Sequence, residues 1–105
     1  MNAKAFALDL LHFLDQSPTQ FQVVENCISI LEDNGFKALN LAKKWELILG
    51  QSYYVTQNGS ALFAFTCGAE APEKSGLKMI AAHTDSPGFR LKPSPEISHK
   101  GYLKL

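Results

Sequence analysis

Apolar residues recur every three or four positions through the first third of the chain, which is the period of amphipathic helices. One apolar stripe runs through residues 3–14. A second stripe, at residues 21–31, is broadened by additional apolar positions. Such a wide apolar face is typical of a helix that packs against a sheet. The pattern therefore predicts two amphipathic helices, the second of them packed on a sheet.

Proline and glycine mark the ends of these helices. Residues 16–18 (Gln-Ser-Pro) predict a break, because proline disfavours helical geometry in the residue before it. We expect Ser17 to cap the second helix, with Gln20 completing a Ser-x-x-Gln capping box. Asn34 and Gly35 predict the end of that helix, since glycine readily adopts the left-handed conformation found there.

A β-hairpin is predicted further along the chain. Residues 52–57 and 60–66 are rich in aromatic, β-branched and other apolar side chains, and they flank the pair Asn58-Gly59. This dipeptide between two apolar runs is the strongest short-range hairpin signal. A two-residue turn predicts a register in which Val55 lies opposite Leu62.

The run at residues 77–82 (Leu-Lys-Met-Ile-Ala-Ala) is short and mainly apolar, as in a strand buried on both faces. It leads directly into residues 83–87 (His-Thr-Asp-Ser-Pro), which predict a turn at the end of that strand. Side chains two positions apart leave an extended chain on the same side. His83 and Asp85 are therefore predicted to lie together at the rim of a sheet.

Composition narrows the classes of protein that remain. The 105 residues carry no net charge at neutral pH, and 46% of them are hydrophobic. A chain of this length and apolar content is expected to bury a core. Scattered charges lack the basic footprint of a nucleic-acid-binding protein, so we expect no nucleic-acid partner. No run approaches a membrane span and no signal peptide is recognisable, which predicts a cytoplasmic protein with no membrane partner.

The pair of His83 and Asp85 suits metal chemistry, since an imidazole can bind zinc while a carboxylate fixes its orientation. The triplet alone leaves other interpretations open. His83 could be structural, with its nitrogens bonded to neighbouring carbonyls. Thr84 or Ser86 could be a nucleophile, or Asp85 could cap a helix. The Gly-x-Ser-x-Gly elbow of acyl-enzyme hydrolases is missing here, which disfavours the nucleophile.

The surrounding residues resemble the aspartyl aminopeptidase family, the M18 metallopeptidases. The resemblance rests on the sequence Ala-Ala-His-Thr-Asp-Ser-Pro at 81–87, followed by Arg-Leu-Lys-Pro at 90–93 and Gly-Tyr at 101–102. It extends upstream to Ser-Pro-Thr at 17–19, Gly-Phe at 35–36, Trp-Glu-Leu at 45–47 and Tyr-Val-Thr-Gln-Asn-Gly-Ser at 54–60. These motifs cover most of the chain.

The resemblance implies an α/β fold, namely the N-terminal part of a co-catalytic zinc aminopeptidase domain. Its expected elements are two helices, a β-hairpin and a central strand that ends in the metal ligand. His83 would bind one of two divalent metal ions, and the resemblance implies that these ions are zinc. Asp85 would be the catalytic-site acid that holds the His83 imidazole in register. The implied activity is removal of an N-terminal residue, preferably acidic, from a peptide by a homo-oligomeric enzyme.

We expect residues 1–93 to form the N-terminal part of the peptidase domain and residues 94–105 to begin a second, β-rich domain. Arg90 and Lys92 could place positive charge near an acidic substrate side chain. One imidazole and one carboxylate cannot complete a zinc site, so we expect this chain alone to be inactive. The alternative is a non-catalytic interaction or structural module derived from such an enzyme.

Overall fold

A computed structural model describes residues 2–104; Met1 and Leu105, the outer limits of the two predicted domain segments, lie outside it. The elements in chain order are α1 (Ala3–Asp15), α2 (Gln20–Asp33), β1 (Lys37–Ala38), β2 (Ser52–Gln57), β3 (Ala61–Thr66), α3 (Pro72–Ser75), β4 (Ile97–His99) and β5 (Tyr102–Lys104). The mixed α/β fold with two long helices and a hairpin is confirmed.

The start of α2 differs from the prediction. The capping residue is Thr19, whose backbone N–H and hydroxyl both donate to Gln22 Oε1, at 3.1 and 2.9 Å. The predicted Ser17 cap is wrong because that hydroxyl is buried between the helices, where it accepts a hydrogen bond from Asn26 Nδ2 at 2.9 Å. Asn26 also donates to the carbonyl of Gln16 at 2.9 Å, so one side chain fixes the turn between α1 and α2.

The end of α2 follows the prediction. Gly35 has a positive φ of 82°, and the Phe36 N–H donates to the Leu31 carbonyl at 3.0 Å. A hydrogen bond back into the last turn satisfies a carbonyl that has no partner within the helix. The chain then enters β1, which pairs in parallel with β2 at Tyr53 and Tyr54.

Strands β2 and β3 form the predicted antiparallel hairpin, but their register is shifted by one residue. Gln57 lies opposite Ala61, so three residues, Asn58 to Ser60, make the turn, and Val55 faces Phe63 rather than Leu62. Asn58 and Gly59 both have positive φ, at 54° and 66°. The dipeptide therefore forms the turn as predicted, but Ser60 belongs to the turn and not to the strand.

The core lies at β2, whose two faces are both covered. It consists of Val24, Tyr53, Tyr54 and Val55. On one face, the Tyr53 ring packs on Phe65 with centroids 5.8 Å apart, and Trp45 stacks on Phe65 at 6.3 Å. The hydroxyl of Tyr54 donates to Glu32 Oε1 on α2 at 2.6 Å, which ties the helix to the sheet.

The run at residues 77–82, predicted as a buried central strand, is not part of a strand. Leu77 and Met79 are 75% and 71% exposed, and Ile80 is fully exposed. The apolar pattern is present, but within residues 2–104 no strand pairs with this run. Without a neighbouring strand to accept its hydrogen bonds, an extended segment cannot join a sheet.

Strands β4 and β5 form a separate two-stranded hairpin, with Lys100 and Gly101 at positive φ in its turn. All residues of both strands are exposed. This hairpin falls in the segment predicted to open a second domain, and that division of the chain stays a prediction.

The chain exposes far more surface than a compact domain of its length. Its radius of gyration is 19.7 Å, whereas about 13 Å is expected for a globular domain of this size. Its accessible surface is 9374 Å², against roughly 5,800 Å² for a folded monomer of equal mass. The core expected from length and composition is present but small. No helix within the described range is long and apolar enough to cross a membrane.

Candidate metal-ligand site

His83 and Asp85 lie together, at the end of the extended segment. The Nδ1 atom of His83 is 3.2 Å from Asp85 Oδ1. The same nitrogen is 2.7 Å from the backbone carbonyl oxygen of Asp85. The spacing of two residues thus brings the imidazole and the carboxylate together, although the closer contact is to the main chain.

These contacts determine which ring nitrogen of His83 can bind a metal. A carbonyl oxygen only accepts hydrogen bonds, so His83 Nδ1 must carry the proton that it donates to Asp85. In a neutral imidazole the other nitrogen then holds a lone pair. The Nε2 atom of His83 is therefore the ring nitrogen whose lone pair stays available, and the contacts to Asp85 fix this tautomer, as outer-shell partners do in zinc sites.

The pair is open to solvent, since the side chains of His83 and Asp85 are 78% and 77% exposed. Across residues 2–104, no group of three or more His, Cys, Asp or Glu side chains is arranged to hold a metal ion. A structural zinc ion takes four protein ligands and a catalytic one takes three. The donor chemistry fits one corner of such a site, and the described residues do not complete it.

The side chain of Thr84, which lies between the two site residues in sequence, contacts the hairpin turn. Its hydroxyl donates to the backbone carbonyl of Ser60 in the hairpin turn at 2.8 Å. The interpretation of Thr84 as a nucleophile is therefore poorly supported, because its hydroxyl serves as a structural donor. Sequence reasoning missed this contact, since a carbonyl acceptor leaves no signal in the residue type.

Other histidine, basic and cysteine side chains are distributed along the chain. His12 on α1 and His99 on β4 are exposed. Arg90 and Lys92 are also exposed and line a shallow depression with Leu91 and Pro93. Cys27 and Cys67 are free thiols, and burial raises the pKa of the Cys27 thiol, which disfavours its reactive thiolate form.

Comparison with known proteins places the chain in a family that is described as zinc metalloproteases. Residues 13–105 match the family model described as Aminopeptidase I zinc metalloprotease (M18). The chain is 44% identical over 105 residues to a probable M18 family aminopeptidase 2 of Clostridium novyi, and 45% identical to the protein of that name in Clostridium acetobutylicum. The alignments cover 99% of this chain and 24% of each relative.

Solved structures agree. A chain in the cryo-EM structure of the Ape4 and Nbr1 complex superposes with a TM-score of 0.86 at 41% identity, over 96% of this chain and 20% of that one. The structure of Chaetomium thermophilum mApe1 gives a TM-score of 0.61 at 35% identity, over 64% of this chain and 16% of that one. The chain belongs to the M18 family of aminopeptidases, as its motifs indicated, and spans about a quarter of the length of the curated relatives.

Proposed function

We propose that this chain is the part of a zinc-dependent M18 aminopeptidase that supplies one metal ligand, His83. The observation that carries the proposal is the hydrogen bond from His83 Nδ1 to the carbonyl of Asp85. It leaves the Nε2 lone pair for a metal in a chain whose family is described as zinc metalloproteases.

In this proposal Asp85 orients the imidazole through its carbonyl and its carboxylate. The other ligands, and the second of two metal ions, are held by residues outside this chain. With His83 as one of its ligands, a bound metal would supply Lewis-acid chemistry for hydrolysis of a peptide bond. This chain's own contribution is to present one neutral imidazole in a fixed tautomer.

Arg90 and Lys92 support a preference for acidic N-terminal residues. Both side chains follow the site closely in sequence and are exposed, and an arginine binds a carboxylate with two parallel hydrogen bonds. Exposed apolar side chains along residues 77–91 support packing within a larger, homo-oligomeric enzyme. We place that enzyme in the cytoplasm.

The test compares the isolated chain with a chimaera in which the chain replaces the aligned quarter of the C. acetobutylicum relative. We expect the chimaera with zinc to hydrolyse a Glu-aminoacyl substrate faster than a Leu-aminoacyl one, and a chelator to abolish both rates. The isolated chain should show no turnover, because a single imidazole does not make a zinc site.

Circular dichroism and gel filtration of the chimaera and the unaltered relative provide the folding control. Chelator-sensitive turnover by the isolated chain would contradict the proposed division of the site. A folded chimaera that binds zinc without hydrolysing any aminoacyl substrate would contradict the proposed activity.

The second candidate is a non-catalytic interaction or structural module. The exposed apolar residues of 77–91 and of the β4–β5 hairpin favour it, since such surface is typical of association. An inactive but folded chimaera is the outcome that this candidate predicts.

A further inference from the structure

Thr84 makes a hydrogen bond that connects residues 68–104 to residues 2–67. From Gly68 to Ser94 every residue is exposed except Thr84, which is half-buried. The hydrogen bond from its hydroxyl to Ser60 is also the only one that joins residues 68–104 to residues 2–67. A half-buried donor with a satisfied partner stands out in an otherwise solvated segment.

The acceptor of this hydrogen bond belongs to a well-fixed turn. The Ser60 N–H donates to the Gln57 carbonyl at 3.2 Å, which closes the turn. Gly59 lies against α2, since a methyl group placed on it would be 3.6 Å from the Phe21 ring. The Ser60 carbonyl is therefore held by both the sheet and the helix.

The hydrogen bond from Thr84 to Ser60, called the tether below, matters because of where Thr84 lies in the sequence. It lies between His83 and Asp85, so fixing its backbone also fixes the starting points of both neighbouring side chains. The contact between His83 and Asp85 sets the rotation of the imidazole but not the location of the segment, because both partners move together. The tether to Ser60 supplies the location.

We propose that Thr84 is a positioning residue that places His83 for metal binding by tethering it to the hairpin turn. The inference rests on the proposed function of His83 as a ligand. Loss of the hydrogen bond from Thr84 to Ser60 should lower metal affinity about 10-fold. This is the lower end of the range seen when outer-shell partners of a metal site are removed.

The first test uses the chain itself. Nuclear Overhauser effects between residues 60 and 84 should be present in the wild type and in Thr84→Ser, which keeps the hydroxyl. They should be lost in Thr84→Val, which has the same shape without a donor. Signals of β2 and β3 should be unchanged, which shows that the fold is intact. Persistence of the contacts in Thr84→Val, or their loss in Thr84→Ser, would overturn the tether.

The second test measures zinc affinity in the chimaera, with Thr56→Val on β2 as the matched control. Thr84→Val should weaken zinc binding about 10-fold, Thr84→Ser should restore it, and Thr56→Val should leave it unchanged. A His83→Ala variant separates the two ideas. If His83→Ala lowers affinity while Thr84→Val does not, the positioning role is wrong. If neither lowers it, the proposed role of His83 is wrong and so is the inference.

Discussion

The two parts of this molecule differ in whether any of their apolar side chains are buried. Residues 2–67 contain all the buried side chains, and β2 is covered on one face by α2 and on the other by Trp45 and Phe65. Residues 68–104 are just as apolar in places, yet Ile80 and Phe89 are fully exposed. The difference teaches that the apolar pattern is necessary for burial, whereas a neighbouring surface decides whether burial occurs.

The candidate chemistry lies in the exposed part, while stability comes from the packed part. His83 and Asp85 gain their geometry from each other, and the Thr84 hydroxyl connects them to the hairpin. A site built in this way can be completed by groups from another part of a protein without rearranging the small core.

The largest expected difference in the free energy of unfolding is between alanine variants of Val24 and Ile80. Val24→Ala removes two methyl groups from the most buried side chain and should lower the free energy of unfolding by roughly 2 kcal/mol, through lost burial and a residual cavity. Ile80→Ala should change it by less than about 0.5 kcal/mol, because the side chain is already in water. Urea denaturation of the isolated chain measures both.

A loss of more than 1 kcal/mol for Ile80→Ala, by the same denaturation measurement, would show that residues 77–82 pack in solution, and the contrast between the two parts would then fail. Equal small effects at both positions would instead show that the core around Val24 is not formed.

A smaller effect is expected from the hydrogen bond between Tyr54 and Glu32. Tyr54→Phe should lower the free energy of unfolding by about 1.5 kcal/mol, the lower end of the range for a hydrogen bond to a charged group. Tyr102→Phe, on the exposed β5, is the matched control and should cost nothing measurable. A Tyr54→Phe variant as stable as the wild type would show that α2 is held to the sheet by apolar contact alone.

The same bond predicts a pH dependence. The hydrogen bond to Glu32, burial and the negative charge of Glu32 together raise the pKa of Tyr54 above its ordinary value of 10.0. A folded-state pKa above the unfolded value gives a stabilisation that is complete below pH 10.0 and is lost as pH rises through the folded-state pKa. The free energy of unfolding of the wild type should therefore fall as pH rises above 10.0. The fall should be steeper than in Tyr54→Phe, which lacks the titrating hydroxyl.

Local signals predicted the packed part of the fold well. The periodic stripes gave both helices, Gly35 gave the end of α2, and Asn58-Gly59 gave the hairpin. The errors in this part of the fold are shifts of one or two residues in the position of a cap or a turn. Thr19 rather than Ser17 caps α2 because Asn26 occupies the Ser17 hydroxyl, and that contact spans nine residues.

The strand predicted at residues 77–82 fails for a different reason. Its composition is that of a buried strand, but strand formation needs a partner edge, which is a long-range property. For the site, a spacing of two residues brought His83 and Asp85 together. The carbonyls of Asp85 and Ser60 could not be predicted, because every residue has one.

The most direct test of the central claim is a zinc titration of the isolated chain, followed by ¹⁵N chemical shifts of its three histidine rings. His12 and His99 serve as internal controls. We predict that His83 responds at lower zinc concentration than either, through Nε2, with the Nδ1 proton retained and affinity too weak for a complete site. A response at His12 or His99 first, or metal binding at His83 Nδ1, would contradict the assignment of His83 as the ligand that Asp85 orients.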